Sequence, residues 1–168
     1  MVVAELGAKY NAKFKNHKAN AMVAEVKLKA TRLVLAGTNT YMNNSGGPVA
    51  NLLKYFKITP ANLIVIHDEL DLPFDSIRLK FAGGHGGHNG LRDIISAIGT
   101  AEFTRVRIGI GRPPGRQDPA DFVLSNFSAT EKKNLPVILT EASDAVEEIV
   151  EKGLVAAQQR FHSAQPSE

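Results

Sequence analysis

Along the first nine residues the apolar positions Val2, Val3 and Leu6 fall on one side of a helical period, which predicts an amphipathic helix over Met1 to Lys9. No capping residue precedes it, so the reading is of a helix whose beginning is missing. Lys9 to Lys18 reads as a basic loop. Met22 to Lys27 and Arg32 to Leu35 are β-rich runs joined by a short polar turn, the pattern of a hairpin. Ser45-Gly46-Gly47-Pro48 then opens a helix through Phe56, since proline is harmless in a first turn. After a turn at Thr59-Pro60, Leu63 to Ile66 is continuously apolar, as in a strand buried on both faces. Ile77 to Phe81 alternates apolar and basic, as in a half-exposed strand.

Gly83 to Gly90 is a loop with five glycines. Leu91 to Ile98 has helical spacing and stops at Gly99. Phe103 to Ile110 reads as another strand, its period of two placing Arg105 and Arg107 on one face. Arg112 to Asp118 is a Pro/Gly loop. Ser128-Ala129-Thr130-Glu131 matches a capping box before a long acidic helix. Pro136 inside that helix means either a kink or a start at Asn134. Gly153 interrupts, a last amphipathic segment runs to Phe161, and residues 162–168 are expected to form a flexible tail.

Strands alternating with helices predict an α/β fold: a single three-layer domain over residues 1–168, with a twisted, mixed and mostly parallel sheet carrying helices on both faces. In such sheets ligands sit beyond the carboxyl ends of the strands. That places the site in the loops holding His67-Asp68-Glu69, Gly83 to Asn89 and Gly111 to Arg116.

Composition narrows the classes. With 168 residues, 43% of them apolar, the chain is of ordinary domain size and is not a disordered one. The absence of cysteine excludes disulfides, thiol nucleophiles and thiolate metal sites. No apolar run approaches the roughly 20 residues of a membrane span, and no signal-peptide pattern opens the chain, so a cytoplasmic protein away from membranes is expected. Residues 1–116 hold 16 Lys and Arg against 8 Asp and Glu, whereas residues 117–168 hold 4 against 9. A basic body with an acidic end suggests a polyanionic partner, although a solvated surface would show the same balance.

The loops limit the chemistry. His67, Asp68, Glu69, Asp71, His85 and His88 could offer metal ligands, but no pair stands at i,i+4 on a helix and no zinc signature appears, so no metal is expected. The glycine-rich loop is neither a P-loop nor a dinucleotide fingerprint. It still lets a substrate approach the backbone before a helix N-terminus, where Asn89 stands either as an N-cap or as a substrate ligand. No G-x-S-x-G elbow is present. A histidine general base with Asp68 fixing its tautomer fits the inventory better, the alternative for Asp68 being a strand-end cap on backbone donors.

Four segments are specific. His67-Asp68-Glu69-Leu70-Asp71-Leu72-Pro73, Gly84-His85-Gly86-Gly87-His88-Asn89-Gly90-Leu91, Tyr41-Met42-Asn43-Asn44-Ser45-Gly46, and the strand from Phe103 through Arg105-Val106-Arg107-Ile108-Gly109 to Pro113 resemble, in order and spacing, the motifs of bacterial peptidyl-tRNA hydrolases. The resemblance covers essentially the whole chain. It implies hydrolysis of the ester joining a peptide to the 3′ end of tRNA by a monomer, with peptidyl-tRNA as partner and neither metal nor cofactor. By position, Asp68 matches the acid that orients the catalytic histidine. Asn43 and Asn89 match asparagines that bind substrate near the ester, and Tyr41 an aromatic beside the terminal nucleotide. Lys80 and Arg107 match basic positions that hold the tRNA 5′-phosphate region, and His88 a supporting position.

The resemblance also implies an opening strand, a G-N-P-G turn and an Arg-His-Asn segment whose histidine is the general base. None of these occurs in the 168 residues, and Met1 to Ala4 corresponds to the helix just after that histidine. The chain is therefore expected to be N-terminally incomplete, to have little or no hydrolase activity and to be less stable. A family member that binds RNA without catalysis is the alternative reading.

Overall fold

The computed structural model describes residues 2–38, 44–69, 71–74, 76–109 and 129–162, with side chains from 136 onward in the last stretch. The elements in order are α1 (Val2–Lys9), β1 (Lys15–His17), β2 (Ala21–Leu28), β3 (Thr31–Thr38), α2 (Gly46–Phe56), a 3-10 turn at Pro60–Asn62, β4 (Ile64–Glu69), β5 (Ile77–Phe81), α3 (Asn89–Ile98), β6 (Thr104–Gly109), α4 (Ala129–Lys152) and α5 (Leu154–His162). The chain is an α/β protein. Among the described residues its strands form two three-stranded sheets, ordered β1-β2-β3 and β4-β6-β5. The first is antiparallel throughout.

The chain divides into two compact units, one holding Val3–Val65 and Phe81–Thr104, the other Ile66–Lys80 and Arg105–Glu168. In the first, the hairpin runs in register from Ala21↔Thr38 to Leu28↔Thr31. Lys29 turns the corner at a left-handed φ of 54°. β2 alternates as a one-faced strand should near its end: Val26 and Leu28 are buried and Glu25 and Lys27 exposed. Ala19, Ala21 and Val23 form a core with Leu52 of α2, joined by Val34, Ala36 and Phe56. A second cluster, Leu91, Ile94 and Phe103, takes Val49 from α2 together with Leu63 and Val65. α2 thus presents Leu52 to the hairpin and Val49 to α3, and its helical period provides both faces.

In the second unit Leu72, Ile77, Leu79, Val106, Ile138, Ala142, Ala145, Val146, Ala157 and Phe161 are buried. α4 and α5 pack on one another across Gly153, whose φ of 90° makes the break. α4 carries Pro136 within it and does not begin at Asn134. The other end of the proposed capping box, Ser128, lies outside the described residues, as do the 111–118 loop and residues 163–168.

Three sequence expectations are corrected. The segment 9–18 holds a short strand, β1, paired to β2 through Lys15↔Val23. β4 does not end at Ile66; it continues through His67 and Asp68 to Glu69. Its side chains are half-buried, His67 alone being buried, so it is not a strand enclosed on both faces.

Candidate functional site

Asp68 is the penultimate residue of β4, half-buried. Alternation turns its side chain to the face opposite its buried neighbour His67. The His67 imidazole Nδ1 lies 2.8 Å from the Asp68 carbonyl oxygen, so this nitrogen carries the proton and donates. His67 thereby satisfies the carbonyl of the acid's own residue. Just beyond it the Asp71 N–H reaches Glu69 Oε1 at 3.4 Å, a long contact.

Lys80 lies on β5 and Arg107 on β6, neighbouring strands of the same sheet, and both are half-buried. Arg105 shares the face of Arg107, as the period requires, but is completely buried. Burial pushes the Arg105 guanidinium below its ordinary range, and the neighbouring charge of Arg107 adds to the effect. Close packing holds the end of β6. A Cβ at Gly109 would meet the Pro73 carbonyl oxygen, with Leu72 Cβ at 2.9 Å.

The first unit carries the glycine-rich loop, and its histidines organise it. Gly86 and Gly87 take left-handed φ values of 59° and 83°, with open space where a side chain would be. These glycines serve the turn, which L side chains enter only with strain. His85 Nδ1 accepts from the Gly87 N–H at 3.0 Å, and the His88 N–H donates to the His85 carbonyl at 2.9 Å. His88 is the N-cap of α3: its Nδ1 accepts from the Leu91 N–H at 3.1 Å. This corrects the expectation for Asn89, which is not the cap and stands instead at the first helical position. Its carboxamide oxygen accepts from Arg92 Nη2 at 2.9 Å, which fixes which way the amide turns.

Nearby, the Gly46 N–H at the start of α2 donates to Asp93 Oδ2 of α3 at 2.7 Å. Helix N-termini favour a carboxylate, and this one ties the two helices together. Sequence reasoning missed Asp93 because the two partners stand 47 positions apart. Tyr41 and Asn43 lie outside the described residues. The structure thus places His88 with Asn89 in the first unit, and Asp68, Lys80 and Arg107 on one sheet in the second. Among the described residues no three His, Asp or Glu side chains come together to hold a metal ion, and no helix is long and apolar enough to cross a membrane.

A family model for peptidyl-tRNA hydrolases matches residues 1–168. A peptidyl-tRNA hydrolase of Leifsonia xyli is 57% identical over 166 residues, spanning 98% of this chain and 86% of its own length. One from Kineococcus radiotolerans is 55% identical over 170 residues, spanning 97% and 86%. A crystal structure of the peptidyl-tRNA hydrolase from Acinetobacter baumannii superposes with a TM-score of 0.90 at 34% identity, covering 99% of this chain and 85% of that one.

Proposed function

This chain belongs to the peptidyl-tRNA hydrolase family, hydrolases of the peptidyl-tRNA ester, and we propose that Asp68 supplies the acid half of its catalytic pair. On this reading a histidine takes a proton from water as the water attacks the ester carbonyl. The Asp68 carboxylate holds that imidazole in the right tautomer and supports the imidazolium that forms. The ester breaks to a peptide carboxylic acid and the 3′-hydroxyl of tRNA. Asn43 and Asn89 hydrogen-bond the substrate beside the ester, Tyr41 lines the site at the terminal nucleotide, and Lys80 and Arg107 hold phosphates near the 5′ end. His88 acts through Asn89, by capping the helix on which it stands.

The observation that carries the reading is the place of Asp68 at the carboxyl end of β4, held by the His67 contact to its own carbonyl. The Arg92 contact that orients Asn89 supports the second role. The same reading makes the chain a single domain acting as a cytoplasmic monomer, with no metal and no cofactor. Activity that survives EDTA supports that last point, and inhibition by EDTA refutes it.

The 168 residues contain no Arg-His-Asn run, and on this reading none of their five histidines is the base. Placing a family-type strand and Arg-His-Asn segment ahead of Met1 should therefore raise the rate of peptidyl-tRNA cleavage by about 10²–10⁴-fold, the usual worth of general-base catalysis. Equal rates with and without that segment would show that the base lies within these residues. A form with the segment added that binds tRNA but never cleaves it would favour the non-catalytic alternative.

A further inference from the structure

The positive charge of the body is concentrated where the proposed clamp is not. Residues 9–57 contain nine Lys and Arg and one acid, Glu25, whereas the remainder of residues 1–116 contains seven of each sign. Glu25 is already paired with Arg32. An excess of one sign adds self-repulsion.

Part of it frames a cavity of about 390 Å³ in the first unit, lined by His17, Lys18, Ala19, Asn51, Lys54 and Tyr55. That volume falls within the range of small-ligand sites. One wall is the face of α2 carrying Asn51, Lys54 and Tyr55 at i, i+3 and i+4. The other is the turn between β1 and β2, which is braced by hydrogen bonds. His17 Nδ1 accepts from the Ala19 N–H at 3.0 Å, the Asn20 N–H donates to the His17 carbonyl at 3.1 Å, and Asn20 takes a left-handed φ of 62°. Ala19 is anchored in the core with Leu52. The His17 and Tyr55 rings meet edge to face at 4.5 Å, and Lys18 Nζ lies 5.1 Å from the Tyr55 ring centroid. Tyr55 nevertheless remains 53% exposed.

Cations beside an exposed aromatic ring, in a preformed concavity with no acid in its lining, are what a nucleotide of RNA requires: ammonium groups for a phosphate and a π-face for the ring. We propose that this cavity is a second contact site for the tRNA body, with Lys18 and Lys54 holding a backbone phosphate and Tyr55 carrying the adjoining nucleoside. The proposal rests on peptidyl-tRNA as the substrate and deepens that reading by adding a surface apart from Lys80 and Arg107.

The test is fluorescence anisotropy of the full chain with labelled deacylated tRNA over a series of KCl concentrations, so that no chemistry is needed. The variant Lys18→Ala with Lys54→Ala should bind about tenfold more weakly and reduce the slope of log K against log salt by about two, one for each lost phosphate contact. Tyr55→Ala should weaken binding about tenfold, and Tyr55→Phe, which keeps the ring, should bind as the unaltered chain does. Urea midpoints of the lysine variant, whose two positions are exposed, confirm that it is folded. If the unaltered chain binds tRNA and the lysine variant matches it in affinity and slope, this inference fails alone. If the unaltered chain does not bind tRNA at all, the reading of its substrate fails with it. Loss of binding to anionic vesicles or polyglutamate, with tRNA binding intact, would assign the cavity to another class of partner and also overturn the proposal.

Discussion

His162 Nε2 accepts a hydrogen bond from the Leu79 backbone N–H at 2.9 Å, and Gln158 Nε2 on the same helix donates to the Leu79 carbonyl at 3.0 Å. Among the described residues β5 is the edge of its sheet in the order β4-β6-β5, so its outer backbone groups would otherwise face solvent or another chain. α5 satisfies both groups of Leu79 with side chains one helical turn apart, and it does so one residue from Lys80. His162→Ala and Gln158→Ala should each lower unfolding free energy by about 1–2 kcal/mol, measured in urea, because a partly buried partner is left unsatisfied. Exchange of the Leu79 amide should speed up in His162→Ala. An unchanged exchange rate would mean that α5 does not protect the edge.

Gly109 closes β6 against the Pro73 carbonyl, and a Cβ there has no room. Backbone cannot yield as the tip of a flexible side chain can. Gly109→Ala should therefore destabilise by about 1–3 kcal/mol by urea unfolding, the range for overpacking. Gly84→Ala, where a Cβ meets open space, should cost much less.

His88 caps α3 through its ring. His88→Ala should lose about 1 kcal/mol of stability, and His88→Ser, a good N-cap, should recover most of it. If Asn89 binds substrate, peptidyl-tRNA cleavage measured in a chain with an added Arg-His-Asn segment should follow the same order, since the cap fixes the position of Asn89. A serine variant that is stable but as slow as the alanine variant would instead give the imidazole a direct role.

Lys80 and Arg107 occupy adjacent strands. If both hold phosphates, Lys80→Ala with Arg107→Ala should raise the KM for peptidyl-tRNA and flatten its salt dependence by about two units of slope. A KM and slope that stay put would show that neither residue holds a phosphate.

Much of this fold is readable in the chain because local and tertiary preferences agree. α2 starts at the Ser45-Gly46-Gly47-Pro48 signal, α3 stops at Gly99 with φ 76°, and the β2–β3 hairpin follows its apolar pattern. β1 was hidden because Lys15-Asn16-His17 has no apolar alternation and is a strand only through its pairing with β2. The end of β4 was misplaced for the same reason, since hydrogen bonding to a neighbouring strand carries the backbone past its apolar run. Depth is equally invisible along a strand: the period puts Arg105 and Arg107 on one face, but only what covers the sheet decides that Arg105 is the buried one. At the candidate site, Asp68, Asn89 and His88 were legible as motif positions. That His88 and not Asn89 caps α3, and that Asp93 holds α2, depends on geometry that spacing does not encode.

The central claim is that Asp68 orients a histidine base, and the most direct measurement is single-turnover cleavage of an N-blocked peptidyl-tRNA by the Asp68→Asn variant, made in a chain to which a family-type Arg-His-Asn segment has been added ahead of Met1. Asparagine keeps the size but not the charge, so the rate should fall by about 10²–10⁴-fold while tRNA binding is retained. A variant that cleaves as fast as its parent would contradict the account.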